Sequence, residues 1–180
     1  MPFRKSIPDN AHPGLLLKPH PESGELLMRL TELLMRGPAS LTRAQRELIA
    51  AYTSAVNVCE SCYGMHAATA EALGVDERWL TRLIVDIDTA PVPAKLKPIL
   101  RFVRKLTRSP ARVRQEDVTA IFVEGWDEDA FYHVVSICAL FNYYNRLIEG
   151  YGVKPSPEYR KRVGEHLAEH GYVNELQIPD

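Results

Sequence analysis

The sequence lacks the features that would tie the chain to a membrane or to nucleic acid. Its 22 lysine and arginine residues are balanced by 23 aspartate and glutamate residues, and no basic cluster is dense enough to follow a phosphate backbone. The N-terminal region has no apolar segment of signal-peptide length. The most apolar stretch, residues 131–148, contains His133, Asn142 and Arg146, which a membrane-spanning helix would rarely carry together. We therefore expect a cytoplasmic protein with neither a membrane nor a nucleic acid as partner.

Cysteine is scarce as well, with three residues in a chain of 180. A chain of this length can form a stable core without disulfides. In a reducing compartment, two cysteines close together are more often catalytic or metal-binding than structural. Cys59 and Cys62 form such a Cys-x-x-Cys pair, whereas Cys138 lies in the middle of the most apolar segment and is expected to be an inert core thiol.

Strand-forming patterns are absent, because Val, Ile and Thr nowhere alternate over a run of strand length between turn residues. Apolar residues instead recur at helical spacing, so the fold class is predicted to be all-α. The predicted helices span residues 22–36, 43–56, 59–74, 77–86, 96–109, 115–124, 128–149 and 157–170. Thr42 and Gln45 predict a capping box at the start of the second of these helices.

The domain organisation is predicted from the same periodicity. Residues 1–21 are rich in Pro, Gly, Asn and His and show no apolar periodicity, which indicates an extended N-terminal arm lying on the domain or on a neighbouring subunit. Residues 22–180 are predicted to form a single all-α domain, since the length suits one domain and the helical patterns continue without a long linker.

The cysteine pair has surroundings that could activate a thiol. A cysteine with its ordinary pKa of about 8.5 is mostly protonated at neutral pH, and a helix N-terminus favours the thiolate. Cys59 is predicted to begin a helix, and Cys62 and His66, four residues apart, would share one face of it. His66 could then accept the Cys62 proton. Glu47 could orient His66, because the two residues lie at similar depths on antiparallel helices joined near residue 57.

These residues alone leave three interpretations open. The pair could be redox-active, it could belong to a metal site, or it could be two small core residues near a helix start. Cys59, Cys62 and His66 would supply three zinc ligands, but a closed zinc site requires a fourth, and the chain has no second Cys-x-x-Cys.

The set of Glu47, Cys59, Cys62 and His66 on a helix–turn–helix resembles the active-site motif of the alkylhydroperoxidase D-like proteins of the carboxymuconolactone decarboxylase superfamily. More narrowly, the chain is similar to the uncharacterised peroxidase-related subgroup, over about residues 20–155. The similar segments include LRFVRKLTRSP and LFNYYNRLIEGYGV. In the mycobacterial type member a histidine stands between the cysteines, where this chain has Ser61.

The resemblance implies a helical bundle of the alkylhydroperoxidase D-like type, with the Cys-x-x-Cys at a helix N-terminus and with subunits that assemble into homo-oligomers. It also implies a role for each matched residue. Cys62 would be the thiolate that attacks a peroxide, and Cys59 would be the resolving thiol. His66 and Glu47 would form the proton relay.

The expected function is therefore that of a thiol-dependent peroxidase acting on hydrogen peroxide or organic hydroperoxides, without a cofactor. An external dithiol or a redox protein would reduce the disulfide again. A variant of this function is disulfide reduction in a peroxiredoxin partner. The alternatives are a lyase of the carboxymuconolactone decarboxylase type, which does not rely on the cysteine pair, and a non-catalytic helical oligomer that senses redox state or binds a metal.

Overall fold

The computed structural model describes residues 2–3, 7 and 13–173 of the chain. Within these residues the chain forms only helices, turns and loops, and no strand occurs there. The helices are α1 (Pro13–Leu17), α2 (Pro21–Arg36), α3 (Arg43–Val56), α4 (Glu60–Ala72), α5 (Glu77–Val85), α6 (Lys97–Arg108), α7 (Gln115–Val123), α8 (Glu128–Tyr151) and α9 (Pro157–His170), with short 3-10 turns at Ala94–Leu96 and Pro110–Arg112. The all-α prediction is confirmed, and every predicted helix is present with ends shifted by at most two residues.

The predicted extended arm, residues 1–21, needs a correction where the structure describes it. Residues Pro13–Leu17 form α1, and Pro21 already begins α2. Both starts suit proline, which is favoured at the first helical position. The helical turn lets the leucines after Gly14 reach apolar surface, and Leu16 is 7% exposed. Residues 1, 4–6 and 8–12 lie outside the described part, and the division into an arm and one domain stays a prediction.

Helix α3 lies at the centre of the bundle. All of its residues from 46 to 54 are buried, and it packs against α4, α6 and α8. Helix α3 begins with the predicted capping box. The backbone N–H of Gln45 donates to Thr42 Oγ1 at 3.2 Å, and the backbone N–H of Thr42 donates to Gln45 Oε1 at 2.9 Å. Because this helix is buried on nearly all sides, the Glu47 side chain that it carries is held away from water.

Helix α4 lies between α3 and α9. The crossing with α9 is close at Gly164, where an added Cβ would lie 2.5 Å from the Ala68 Cβ and 2.6 Å from the Met65 carbonyl oxygen. Only glycine fits this contact without displacing backbone. The close approach brings the chain that follows α9 towards the centre of the bundle. Among the described residues, no helix is both long and apolar enough to cross a membrane.

We predict that Gly164→Ala lowers the unfolding free energy by about 1–3 kcal/mol, because the added methyl group would force α9 away from α4. Gly150→Ala is the matched control. It lies in α8, and nothing lies within 4 Å of where its Cβ would be, so this change should be neutral or stabilising by up to about 1 kcal/mol. Urea unfolding measures both, and equal effects would contradict the close crossing.

Candidate active site

The cysteine pair is placed by a tight reversal between α3 and α4. The Val58 N–H donates to the Ala55 carbonyl and the Cys59 N–H donates to the Ser54 carbonyl, both at 3.0 Å, which is the pattern of a Schellman motif. Cys59 is the N-cap residue of α4, and Cys62 is the third residue of that helix. Both thiols are therefore at the end of the helix where unpaired N–H groups favour an anion.

The reversal contains a strained residue. Val58 has a φ of 57° and is the one non-glycine residue with positive φ in the described part of the chain. The equivalent positions after α4 and α8 are Gly74 and Gly152. A β-branched residue is disfavoured in this conformation, and its side chain is 79% exposed, so burial does not compensate. The strain lies directly before Cys59.

A polar network fastens this reversal to α8. Asn57 Nδ2 donates to Asn145 Oδ1 at 2.8 Å and to Asn142 Oδ1 at 3.1 Å. Asn145, which is 2% exposed, donates in turn to Ser54 Oγ at 3.0 Å. Because the buried Asn145 amide and the partly buried amides of Asn57 and Asn142 have partners, the network fixes the turn rather than weakening it.

Ser61, the residue between the cysteines, has a structural role. Its hydroxyl donates to the Val153 carbonyl oxygen at 3.0 Å, and the residue is 1% exposed. The bond connects the first turn of α4 to the chain just after α8. Ser61 thus fixes the start of α4 at the position where the mycobacterial type member has a histidine.

The structure brings Glu47 and His66 together. Glu47 Oε2 lies 2.8 Å from His66 Nδ1, and the Glu47 side chain is 0% exposed while that of His66 is 7% exposed. A carboxylate can only accept, so Nδ1 carries the proton and donates it to Glu47. In the neutral ring, Nε2 is then the unprotonated nitrogen.

Two further residues, which the sequence did not reveal, complete the surroundings of Glu47. Arg36 Nη1 and the Tyr172 hydroxyl each donate to Glu47 Oε1 at 2.7 Å. The guanidinium carbon of Arg36 lies 4.9 Å from the centre of the Tyr172 ring, and the Tyr172 hydroxyl lies 3.3 Å from His66 Nδ1. Glu47 is therefore the common acceptor of three side chains from three separate parts of the chain.

Arg36 is itself held in place by backbone groups. Its Nη2 donates to the Leu167 carbonyl of α9 at 2.9 Å. The neighbouring loop is fixed by Arg46, whose Nη1 donates to the carbonyls of Leu34 and Gly37 at 3.0 and 2.9 Å. Arg36 ends its helix, where basic residues are common for reasons unconnected with a site. No sequence signal therefore distinguished it.

Tyr172 reaches the site because the chain turns sharply after α9. Gly171 has a φ of 74° and a ψ of −162°, a conformation that is open to glycine almost alone. A Cβ there would lie 2.7 Å from Glu32 Oε2, and the same oxygen accepts the Tyr172 N–H at 2.6 Å. In the sequence, Gly171 indicates only that α9 ends there. It does not predict that the Tyr172 side chain reaches Glu47.

The charges in this cluster are coupled. Burial alone would raise the pKa of Glu47, but the hydrogen bond and charge of His66, the charge of Arg36 and the Tyr172 hydrogen bond hold that pKa below its ordinary value of 4.5. Burial likewise opposes the charge on Arg36, yet Glu47 holds the pKa of Arg36 above its ordinary value. Glu47 and Arg36 are thus an ion pair at neutral pH.

Cys62 and His66 face one small cavity of about 40 Å³. The residues that line this cavity are mostly apolar, and Cys59 is not one of them. They are Gly14, Leu17, Met28, Thr31, Cys62, Met65, His66, Phe141, Tyr144, Leu147, Ile148, Leu167 and Tyr172. Thr31 Oγ1 donates to the Leu27 carbonyl at 2.8 Å and lies 2.7 Å from the Tyr144 hydroxyl. The cavity combines a thiol, an imidazole and a pair of hydroxyls.

None of the three cysteines forms a disulfide, and all three are buried. Cys59 is 0% exposed and Cys62 is 3% exposed. Cys138 lies in the main core, where burial raises the pKa of its thiol despite hydrogen bonds from neighbours such as Thr107. It does not line the cavity, in keeping with an unreactive core thiol.

The metal-site interpretation finds no support in the described residues. No three His, Cys, Asp or Glu side chains of this part of the chain come close enough together to hold a metal ion. The Nδ1 atom of His66 is occupied by Glu47. A zinc site formed from Cys59, Cys62 and His66 would still lack the fourth ligand.

Comparison with a sequence-family model gives a match to the region of this site. The model of the carboxymuconolactone decarboxylase family matches residues 21–95, which include Glu47, Cys59, Cys62 and His66. A search of curated proteins found no match.

Solved structures share the fold. An uncharacterized peroxidase-related protein from Silicibacter sp. TM1040 has a TM-score of 0.72 and 26% sequence identity, covering 78% of this chain and 74% of that one. A second such protein, from Ralstonia eutropha JMP134 and described as an alkylhydroperoxidase AhpD core, has a TM-score of 0.76 and 24% identity, covering 84% and 79%. A protein of unknown function from Agrobacterium tumefaciens has a TM-score of 0.65 and 19% identity, covering 78% and 94%.

We predict that Val58→Gly stabilises the protein by about 0.5–1 kcal/mol, because the relief of strain exceeds the added entropy of the unfolded chain. Val85→Gly is the control, since Val85 is 77% exposed at the end of α5 but has no positive φ. It should lose about 0.5–1 kcal/mol. Thermal or urea unfolding separates the two, and destabilisation by Val58→Gly would argue against the strained turn.

A second prediction concerns pH. Because the pKa of Glu47 in the folded protein lies below its ordinary 4.5, the unfolded chain binds the extra proton first as pH falls. The stability due to Glu47 is therefore complete above about pH 4.5 and is lost as pH falls through the folded pKa. Glu47→Gln should cost about 3–5 kcal/mol at neutral pH, and the difference from wild type should shrink in acid.

The measurement is urea unfolding from neutral pH to acid, with Glu124→Gln at an exposed position as the control for losing a surface charge. The Glu124→Gln curve should run parallel to wild type. A Glu47→Gln curve that also ran parallel to wild type across the acid range would contradict a carboxylate ionised at neutral pH.

Proposed function

Since the chain belongs to the alkylhydroperoxidase D-like and carboxymuconolactone decarboxylase superfamily, we propose that it is a thiol-dependent peroxidase in which Cys62 and Cys59 cycle between dithiol and disulfide. The observation that carries this proposal is that Cys62 and His66 line the same small cavity, while buried Glu47 holds the other nitrogen of His66. A thiol, a base and an orienting carboxylate are the parts that an activated sulfur nucleophile requires.

The first step is activation of Cys62. His66 Nε2 accepts the thiol proton, and the thiolate forms at the N-terminal end of α4, where the helix favours negative charge. Glu47 stabilises the resulting imidazolium through Nδ1–H. Arg36 and Tyr172 act as positioning residues, because their bonds to Oε1 keep Glu47 ionised and leave Oε2 directed at His66.

The second step is attack on the peroxide. The Cys62 sulfur forms a bond to the outer oxygen of the hydroperoxide, the O–O bond breaks, and the alcohol or water leaves with a proton from His66. Cys62 is then a sulfenic acid. That Cys62 lines the cavity while Cys59 does not supports Cys62 as the attacking sulfur.

The third step forms the disulfide. The Cys59 sulfur attacks the Cys62 sulfur, and the sulfenic oxygen leaves as water with the Cys59 proton. An external dithiol then returns two electrons and two protons, and its own sulfurs become a disulfide. Such a cycle needs no cofactor. In the variant of this function, the reduced Cys59/Cys62 pair would itself reduce the disulfide of a peroxiredoxin partner. The homo-oligomeric state implied by the resemblance stays a prediction.

We predict that Cys62→Ser abolishes peroxide consumption in the presence of dithiothreitol, a loss on the order of a thousandfold or more. Cys138→Ser is the control and should keep wild-type turnover, since Cys138 lies outside the cavity. Cys59→Ser should stop at the sulfenic acid, which dimedone traps and mass spectrometry locates at Cys62.

The alternatives give different results in the same assay. Activity that survived Cys62→Ser would contradict the peroxidase and point to a lyase that does not use the cysteines. Oxidation of the pair with a change of assembly but without turnover would instead indicate a redox sensor. Dimedone labelling of Cys59 in the Cys62→Ser variant, with no labelling of Cys62 in the Cys59→Ser variant, would reverse the assigned roles of the two thiols.

A further inference from the structure

The cysteine pair lies beneath a piece of chain that belongs to none of the helices carrying the relay. Leu16 of α1 packs with Cys59, Cys62, Ile148 and Val153 in a small apolar cluster that is separate from the main core. Ile7 and Leu15 pack against its margin. The low exposure of the two sulfurs thus depends in part on residues near the N-terminus. We call Phe3, Ile7 and α1 the N-terminal cover.

The same cover forms part of the wall of the cavity. Gly14 and Leu17 line it together with Cys62 and His66. The two neighbouring leucines therefore have different tasks: Leu16 contacts the cysteine cluster, and Leu17 limits the space beside the thiol. A substrate that reacts with Cys62 has to fit between Leu17 and the apolar residues of α2, α8 and α9.

Within the described residues, the cover contacts the bundle through Phe3 and through the leucines of α1. The Phe3 N–H donates to the Tyr151 carbonyl at 3.0 Å, and the Phe3 ring lies against Gly152, yet Phe3 is 78% exposed. Helix α1 has five residues, far below the length at which a helix is stable alone. Its conformation therefore depends on the packing of Leu16 and Leu17, and replacing either should alter the cover without unfolding the bundle.

The size of the cavity determines what the closed cover admits. A volume of about 40 Å³ corresponds to roughly three water-sized spheres. Hydrogen peroxide or methyl hydroperoxide fits such a space, whereas a hydroperoxide with an aromatic group does not. The apolar walls suit a short alkyl group, and the Thr31 and Tyr144 hydroxyls add polar contacts for the oxygens.

We propose that the N-terminal cover determines the specificity of the site: Leu17 restricts the cavity to compact hydroperoxides, and Leu16 shields the cysteine pair from thiol-alkylating reagents in solution. The selection of hydroperoxides rests on the proposed peroxidase function. The shielding of the thiols does not, and it is measured without any turnover.

Shielding is tested by alkylation with N-ethylmaleimide, followed at each cysteine by mass spectrometry. Leu16→Asp should raise the alkylation rate of the Cys59/Cys62 pair by about tenfold or more, because a charge cannot remain in the apolar cluster. Val123→Asp, a substitution at a 77% exposed position of α7, should leave the rate unchanged. Buried Cys138 must stay unreactive in every variant, which shows that the bundle is folded.

If Leu16→Asp exposes Cys138 as well, the milder substitution Leu16→Ala is used in its place. We expect it to give a smaller increase in alkylation rate, confined to Cys59 and Cys62. The shielding claim is overturned if neither variant of Leu16 changes alkylation of the pair. It is also overturned if the pair in the wild-type protein reacts as fast as a cysteine in an unfolded peptide.

Selection is tested by the ratio of kcat/KM for cumene hydroperoxide to that for hydrogen peroxide. Leu17→Ala should raise this ratio by about tenfold, because the removed carbons widen the wall beside Cys62, whereas Val123→Asp should leave the ratio unchanged. An unchanged ratio in an active enzyme overturns the selection claim and leaves the peroxidase intact. Faster alkylation in Leu16→Asp without peroxidase activity in any variant supports shielding and rejects the proposed function.

Discussion

The structure depends on the neutralisation of one buried carboxylate. Glu47 has no contact with solvent, and an unpaired charge in that position would cost several kcal/mol of stability. Arg36 at the end of α2, His66 on α4 and Tyr172 beyond α9 all direct donors at it. Four segments of the chain must therefore meet at one point, and their meeting fixes the walls of the cavity.

The backbone and the side chains supply different parts of the site. The reversal at Val58 and the asparagine network place the two thiols at the N-terminal end of α4, where the helix favours a thiolate. Leu16, Ile148 and Val153 surround the same thiols in an apolar cluster. In the proposed mechanism, the imidazole of His66, held by the Glu47 carboxylate, takes the proton of Cys62.

Local sequence features were sufficient to predict helices α2 to α9, and the contact between Glu47 and His66 followed from the same pattern. The capping box of Thr42 and Gln45 and the glycines at helix ends mark the boundaries, because caps and turns depend on neighbouring residues. The contact between Glu47 and His66 could be anticipated because both lie on adjacent antiparallel helices, at similar distances from a short turn.

The parts that could not be predicted depend on long-range packing. Arg36 follows an ordinary helix-ending pattern, and Tyr172 enters the site through the conformation of Gly171 and the close crossing at Gly164. Neither residue has a spacing that relates it to the cysteines. The three leucines at positions 15–17 are too few to give a periodic pattern, so the sequence did not predict helix α1. Packing of Leu16 against the cysteine pair stabilises this helix.

The central claim is that the buried charge of Glu47 controls the ionisation of Cys62 through His66. The most direct test is the ultraviolet absorbance of the thiolate as a function of pH, in a Cys59→Ser/Cys138→Ser background where Cys62 is the remaining thiol. Ionisation of Cys62 should require a higher pH when Glu47→Gln is added, since the imidazolium loses its carboxylate partner. Superimposable titration curves with Glu47 and with Gln at this position would contradict the account.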